Sequence, residues 1–297
     1  MAETFGILPP EYRLPAATHV GPVALQIADL DHSVGYYERV LGLRVLERHR
    51  STAALGPHDD DRVLVRLEAR PGLRHTPRRG ALGLYHFAIL LPDRPALGRF
   101  LAHLQTAGIA VGTADHAVSE SVYLTDPDGL GIEVYADRSP YTWRIQEDGQ
   151  LFMTTAPLHI GSLLDAAAGE RWTGAPAGTV MGHVHLHVGN LDEAARFYHQ
   201  ALGFDKVVWG YPGALFFSAG GYHHHLGTNT WSPGPAASDD QARLLTWDLV
   251  LPTLEDLAGA VGSLAAAGYT PSGRDTAWTV PDPWGTRVRL VVQDQDR

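Results

Sequence analysis

The segment Gly182-His183-Val184-His185-Leu186-His187-Val188 places a histidine at every second position. Side chains alternate across a strand, so a strand here turns His183, His185 and His187 to one side. Neutral imidazole is a ready ligand for transition metals, and a strand fixes its height and angle. The chain has 16 histidines; some, such as His32 and His58, read as ordinary surface residues, and others fall at strand positions. It has no cysteine, which removes disulfides and thiolate chemistry and leaves His, Asp, Glu or Tyr to hold any metal. What that strand can do depends on which other residues meet it.

A repeat positions it. Residues 20–43 and 181–204 align without a gap, matching Gly21, Leu30, Asp31, Tyr37, Leu41 and Gly42 to Gly182, Leu191, Asp192, Tyr198, Leu202 and Gly203. Each copy reads as an alternating strand followed by an amphipathic helix, with Asp29 or Asn190 as N-cap and Gly42 or Gly203 as the stop. Residues 84–108 and 244–268 repeat the plan, with Asp93 and Thr253 as caps, helices near Ala96 to Thr106 and Glu255 to Ala266, and stops at Gly108 and Gly268. Tyr123 to Tyr135 and Trp278 to Leu290 then read as paired strands around an Asp-Pro turn.

The pattern predicts four βαβββ modules at about 18–70, 82–138, 180–232 and 243–294. The organisation is residues 1–138 for the first two modules, 139–179 for a connector with a short helix at Leu158 to Ala168, and 180–297 for the last two. One βαβββ unit cannot cover its own sheet, so modules must pair. An unrepeated α+β fold with chance similarity is the alternative.

Length and composition limit the partners. A chain of 297 residues with 44% hydrophobic residues can fill sizeable cores, and no run of 18 apolar residues offers a membrane span. Net charge is -10, and among 23 basic residues only Lys206 is lysine, so neither nucleic acid nor an anionic membrane is an expected partner. Met1 to Phe5 lack a secretory pattern, and the expected location is the cytoplasm. The oligomeric state is open, a homo-oligomer included.

Four modules of this kind resemble the vicinal oxygen chelate superfamily, which includes glyoxalase I, fosfomycin-resistance proteins, bleomycin-binding proteins and type I extradiol dioxygenases. The resemblance covers nearly the whole chain apart from the N-terminal residues and the connector. It implies an α+β fold of four βαβββ modules forming two paired-module half-barrels, with metal ligands near the start of a first strand and on a last strand. Pro22, His86, His183 and Thr246 hold the first-strand position, and Glu133 and Arg289 hold the last-strand position of modules two and four. Pro and Arg cannot ligate, so the resemblance implies a centre of His86, Glu133 and His183. Two histidines and one carboxylate form the facial triad of non-haem Fe(II) oxygenases, and Mn(II) suits the same ligands. A single site of these three requires module two to pair with module three, and module one with module four. A site confined to one module would have two ligands.

The match is nearest the extradiol, catechol 2,3-type, dioxygenases. Their active-site tyrosine lies ten residues before the glutamate ligand, where this chain has Tyr123. Their His-x-Leu-Ala segment, with its second-sphere acid/base histidine, resembles His224-His225-Leu226-Gly227 and so selects His224. His225 is the alternative, and alternation puts the two on opposite faces. His116 corresponds to a further substrate-contacting histidine, though at a different spacing from Tyr123. The resemblance thus implies an Fe(II)-dependent enzyme of aromatic degradation that cleaves catechol or a substituted catechol with O2. Fe(II) on one carboxylate and two neutral imidazoles keeps the positive charge that favours a catecholate. A histidine near neutral pKa can take the diol's second proton and later return it. The competing functions are a glyoxalase-like metal-dependent lyase or isomerase, whose family uses two acidic ligands, and a non-enzymatic small-molecule-binding protein. His185 and His187 are expected in supporting roles, and Trp231, Trp247 and Trp278 as core or pocket wall. Loops 51–62, 207–215 and 232–242 are expected to shape the pocket.

Overall fold

In each module an alternating strand hands the chain to a helix at a capping side chain. The computed structural model describes residues 5–77 and 79–293. Residues 1–4, part of the stretch without a secretory pattern, and residue 294, the expected end of module four, lie outside them. Module one runs β1 (His19–Ile27), α1 (Leu30–Arg39), β2 (Arg44–Arg48), β3 (Thr52–Gly56) and β4 (Val65–Ala69). Module two runs β5 (Gly83–Leu90), α2 (Arg94–Thr106), β6 (Gly112–Asp115), β7 (Ser119–Thr125) and β8 (Gly131–Asp137). The connector holds a 3₁₀ turn at Pro140–Thr142 and α3 (Ile160–Ala166). Module three has β9 (Val180–His187), α4 (Leu191–Ala194), β10 (Asp205–Val208), β11 (Ala214–Ser218) and β12 (Leu226–Asn229). Module four has β13 (Arg243–Leu251), α5 (Leu254–Ala266), β14 (Ser272–Arg274), β15 (Ala277–Pro281) and β16 (Arg287–Val292).

The caps act as the sequence predicts. Asp29, Asp93, Asn190 and Thr253 accept from the backbone N–H three residues on, at 2.9, 2.7, 3.0 and 3.1 Å. Gly42 and Gly203 end their helices at φ 67° and 97°, a left-handed conformation costly for residues with a Cβ. One helix departs from the expected form: α4 continues as a π-helix over Ala195–Ala201, closed by Leu202 N to Phe197 O.

Among the described residues the strands form two eight-stranded sheets, ordered β14-β15-β16-β13-β1-β4-β3-β2 and β10-β11-β12-β9-β5-β8-β7-β6. Module one therefore joins module four, and module two joins module three, the pairing that a single three-ligand site demands. In each sheet the two first strands meet antiparallel at the centre, β1 with β13 and β5 with β9. Within each module the first and last strands run parallel. One continuous apolar core draws on all four modules, with the rings of Tyr37 and Phe87 stacked 6.5 Å apart between modules one and two.

Two buried bonds tie one sheet to the other. Tyr37 of α1 donates to Asp126 Oδ2 at 3.2 Å, and Tyr198 donates to Asp282 Oδ2 at 2.9 Å. Each aspartate opens an Asp-Pro turn and accepts two backbone N–H groups of that turn on its other oxygen. The two matched tyrosines of the repeat thus serve the contact between successive modules.

Candidate metal centre

His86 is the fourth residue of β5 and His183 the fourth of β9, so the antiparallel central pair brings both imidazoles to the cavity side of the sheet. Glu133 lies on β8 beside β5, paired with Ala88. One ligand atom from each of His86, Glu133 and His183 lies within 4.8 Å of the other two, and all three residues are buried. No second such group of His, Asp or Glu occurs among the described residues.

Their hydrogen bonds suit a cation at the centre. His183 Nε2 lies 3.1 Å from Glu133 Oε2, and the other carboxylate oxygen accepts from Ser121 Oγ at 2.6 Å. His86 Nε2 lies 3.0 Å from the same Oε2 but off the axis a hydrogen bond needs, and has no hydrogen-bond partner. A buried imidazole nitrogen beside a carboxylate, bonded to nothing, is what a metal ligand leaves when the ion is taken away. Burial presses the His183 imidazole down to about 4 against the pull of Glu133, so it is neutral near pH 7 and its lone pair is available. Burial alone would raise Glu133, but the imidazoles of His183 and then His86 outweigh it and hold the carboxyl well below its ordinary range. The donor set is one anion and two neutral nitrogens, which fits a divalent transition metal.

The other expected residues surround a cavity of about 250 Å³ that opens on this centre. Tyr123 of β7 stands directly opposite Glu133 in the strand pairing. Its hydroxyl lies 2.6 Å from His116 Nε2, and His116 Nδ1 lies 2.6 Å from Thr154 O. A carbonyl only accepts, so His116 donates through Nδ1, and its Nε2 accepts from Tyr123. Burial, then the charge of Glu133, raises the Tyr123 phenol well above its ordinary value, so it stays protonated. His224 borders the cavity with its ring 4.1 Å from that of His183, whereas His225 turns to the opposite side, where its Nδ1 accepts from Ala219 N. Burial, then His183 and His223, holds the His224 ring well below its usual value, rather than near neutrality as expected of the acid/base histidine, and so keeps it uncharged. His185 also lines this cavity, while His187 lies 2.6 Å from Asn229 Oδ1 and borders a second, adjoining cavity of about 630 Å³.

Two contributors escape a reading by alternation. Register slips between Leu84 and His86 against consecutive residues of β9, so Tyr85 is the extra residue of a β-bulge. Its ring lies 4.8 Å from those of both His86 and His187, and it borders both cavities. Met153, Thr154 and Thr155 of the connector supply another wall, held by backbone bonds between Asp115 and Ala156. Of the loops expected to shape the pocket, 207–215 contributes Tyr211. Segment 51–62 contributes nothing to either cavity, because its strand β3 belongs to the other sheet. Trp231 reaches the cavity and Trp247 lies in the core.

The sequence profile of the glyoxalase/bleomycin resistance protein/dioxygenase superfamily matches residues 19–134 and 180–294, most of the chain and all four modules. The chain belongs to that superfamily. Within it, a catechol-2,3-dioxygenase of Bacillus subtilis (strain 168) is 46% identical over 280 residues, covering 93% of this chain and 98% of that protein. Among solved structures, a candidate dioxygenase of Bacillus subtilis subsp. subtilis str. 168 superposes with a TM-score of 0.67 at 13% identity, covering 95% of this chain and 86% of that one. Glyoxalase I of Zea mays superposes at 0.55 and 15%, covering 93% and 92%. The two structural likenesses carry the fold of this superfamily.

The second half-barrel carries a different centre at the matching place. Arg66 on β4 and Arg289 on β16 occupy the last-strand positions, and Asp248 on β13 lies between them. Arg289 grips both Asp248 oxygens at 2.8 and 2.5 Å, and Arg66 Nη1 reaches Asp248 Oδ2 at 3.3 Å. Guanidinium has N–H donors and no free lone pair, so this cluster is closed to metals.

Proposed function

We propose that this chain is an Fe(II)-dependent extradiol dioxygenase of aromatic degradation in the cytoplasm, acting on catechol or a substituted catechol with O2. The observation that carries the reading is one cavity bordered together by the two-histidine, one-carboxylate cluster, Tyr123, His116 and His224. The likeness to the Bacillus subtilis catechol-2,3-dioxygenase over nearly both full lengths supports it.

His86, Glu133 and His183 would hold the iron, and Mn(II) suits the same set. Bound there, Fe(II) supplies a Lewis-acidic centre for the two diol oxygens and a site for O2. The protein's own part is positioning and proton handling. A cavity of this volume, below the range for drug-sized ligands, suits a single small aromatic ring. Tyr123, its proton engaged by His116, offers hydroxyl lone pairs to a substrate hydroxyl and fixes the ring's orientation. His224, neutral and buried, takes the diol's second proton. Phe216 and Trp231 shed water from the walls. Glyoxalase-like chemistry would leave Tyr123 and His224 without a task.

The test is reconstitution with Fe(II) under argon, then catechol and air. A yellow ring-fission product with matching O2 uptake is the expected outcome. Colourless solutions without O2 uptake across catechol and several substituted catechols would overturn the dioxygenase reading.

A further inference from the structure

His224 can act as a base in the cavity only through a ring nitrogen that bears no proton, and the residues behind it decide which nitrogen that is. His224 Nδ1 lies 2.7 Å from His223 Nδ1, and His223 Nε2 lies 2.8 Å from Asp137 Oδ1. Both rings are buried, and the Asp137 side chain, at the end of β8, is 26% exposed. The same Asp137 oxygen accepts from the Tyr222 hydroxyl at 3.1 Å, and Tyr222 meets Tyr135 at 2.7 Å. The Tyr135 hydroxyl has room because residue 182 is glycine: a Cβ there would lie 1.8 Å from it.

A carboxylate only accepts, so His223 donates through Nε2. A neutral ring has one N–H, so His223 Nδ1 presents a lone pair and His224 Nδ1 supplies the proton between them. His224 Nε2 is left with its lone pair on a ring that borders the cavity.

We propose that His223 and Asp137 are positioning residues that lock His224 in its Nδ1–H tautomer and present Nε2 as the base toward a bound aromatic diol. This rests on the reading of the cavity as a catechol site. It gives β8 two tasks: Glu133 serves the metal cluster, and Asp137, four residues on, sets the base. Asp137 acts here through His223, as the carboxylate of a hydrolase triad acts on its histidine.

Long-range ¹H–¹⁵N NMR of the full chain, labelled at histidine and loaded with Zn(II), reads the tautomer without turnover. His224, assigned by loss of its signals in His224→Gln, should carry its proton on Nδ1. In His223→Phe the proton should move to Nε2, and kcat for catechol with Fe(II) should fall about 10- to 100-fold at unchanged KM. His223→Asn keeps an acceptor where Nδ1 stood, so it should retain the tautomer and recover part of kcat. A proton on His224 Nε2 in the unaltered protein overturns the proposal, as does an unmoved proton in His223→Phe. Absence of catechol cleavage by the unaltered protein strikes instead at the reaction assigned to the cavity, and the NMR result stands apart from it.

Discussion

The two half-barrels place one carboxylate between two nitrogen-bearing side chains at equivalent points, and only one of them can hold a metal. In modules two and three the carboxylate is Glu133 on a last strand and its neighbours are imidazoles on the first strands. In modules four and one the carboxylate is Asp248 on a first strand and its neighbours are guanidiniums on the last strands. Neutral imidazoles leave lone pairs and one net negative charge, which invites a cation. Guanidiniums bring two positive charges and N–H bonds already aimed at the carboxylate, which satisfies it from within. A duplicated scaffold thus separates a site that needs a ligand from one that is complete without it, by exchanging which strand bears the acid.

The largest expected effect comes from Glu133→Gln, which should lose tightly bound iron and reduce catechol cleavage to background. Iron content by colorimetric assay checks this, and retained stoichiometric iron would show the centre to be misplaced. Asp248→Asn should do the reverse, leaving iron content and kcat intact while destabilising the fold. Two guanidiniums then face each other without their acid. With both about a third exposed, the cost should be about 1–3 kcal/mol, read by urea unfolding, and a loss of iron would refute the division of labour. Arg289→Glu should still bind no iron in the second half-barrel, since Pro22 and Thr246 offer no imidazole there.

The last comparison concerns pH, where no effect is expected at neutrality. Burial pushes His225 down to about 3, against 6.5 unfolded. Between those values the unfolded chain binds the extra proton, so stability should fall as pH drops from about 6.5 toward 3. His225→Gln should reduce the slope of unfolding free energy against pH near pH 5 by about 1.4 kcal/mol per pH unit. An unchanged slope would place that proton elsewhere.

Much of this was readable in the residues. Strand alternation and glycine stops marked the modules, and the change from histidine to proline or threonine at one position told the two half-barrels apart. The triad came from the resemblance, whose ligand positions fall on the fourth residues of β5 and β9 and the third of β8. What stayed hidden depended on departures from regularity. Tyr85 reaches the cavities only because a bulge breaks the alternation that would have turned it away from His86. Met153 to Thr155 arrive by a path across the connector that no period announces. The choice of His224 over His225 came from the resemblance alone, and the chain's entry to β12 does turn His224 to the cavity and His225 toward Ala219.

The Tyr37–Asp126 and Tyr198–Asp282 bonds have a topological meaning. Sheets link module one to four and two to three, while the tyrosines link one to two and three to four. The four modules form a closed ring in which each is held by two neighbours, and detaching any one severs both a central strand pairing and a buried polar anchor. Such a ring should melt as a whole, with near-UV and far-UV circular dichroism changing together, although its sequence is written as four similar paragraphs.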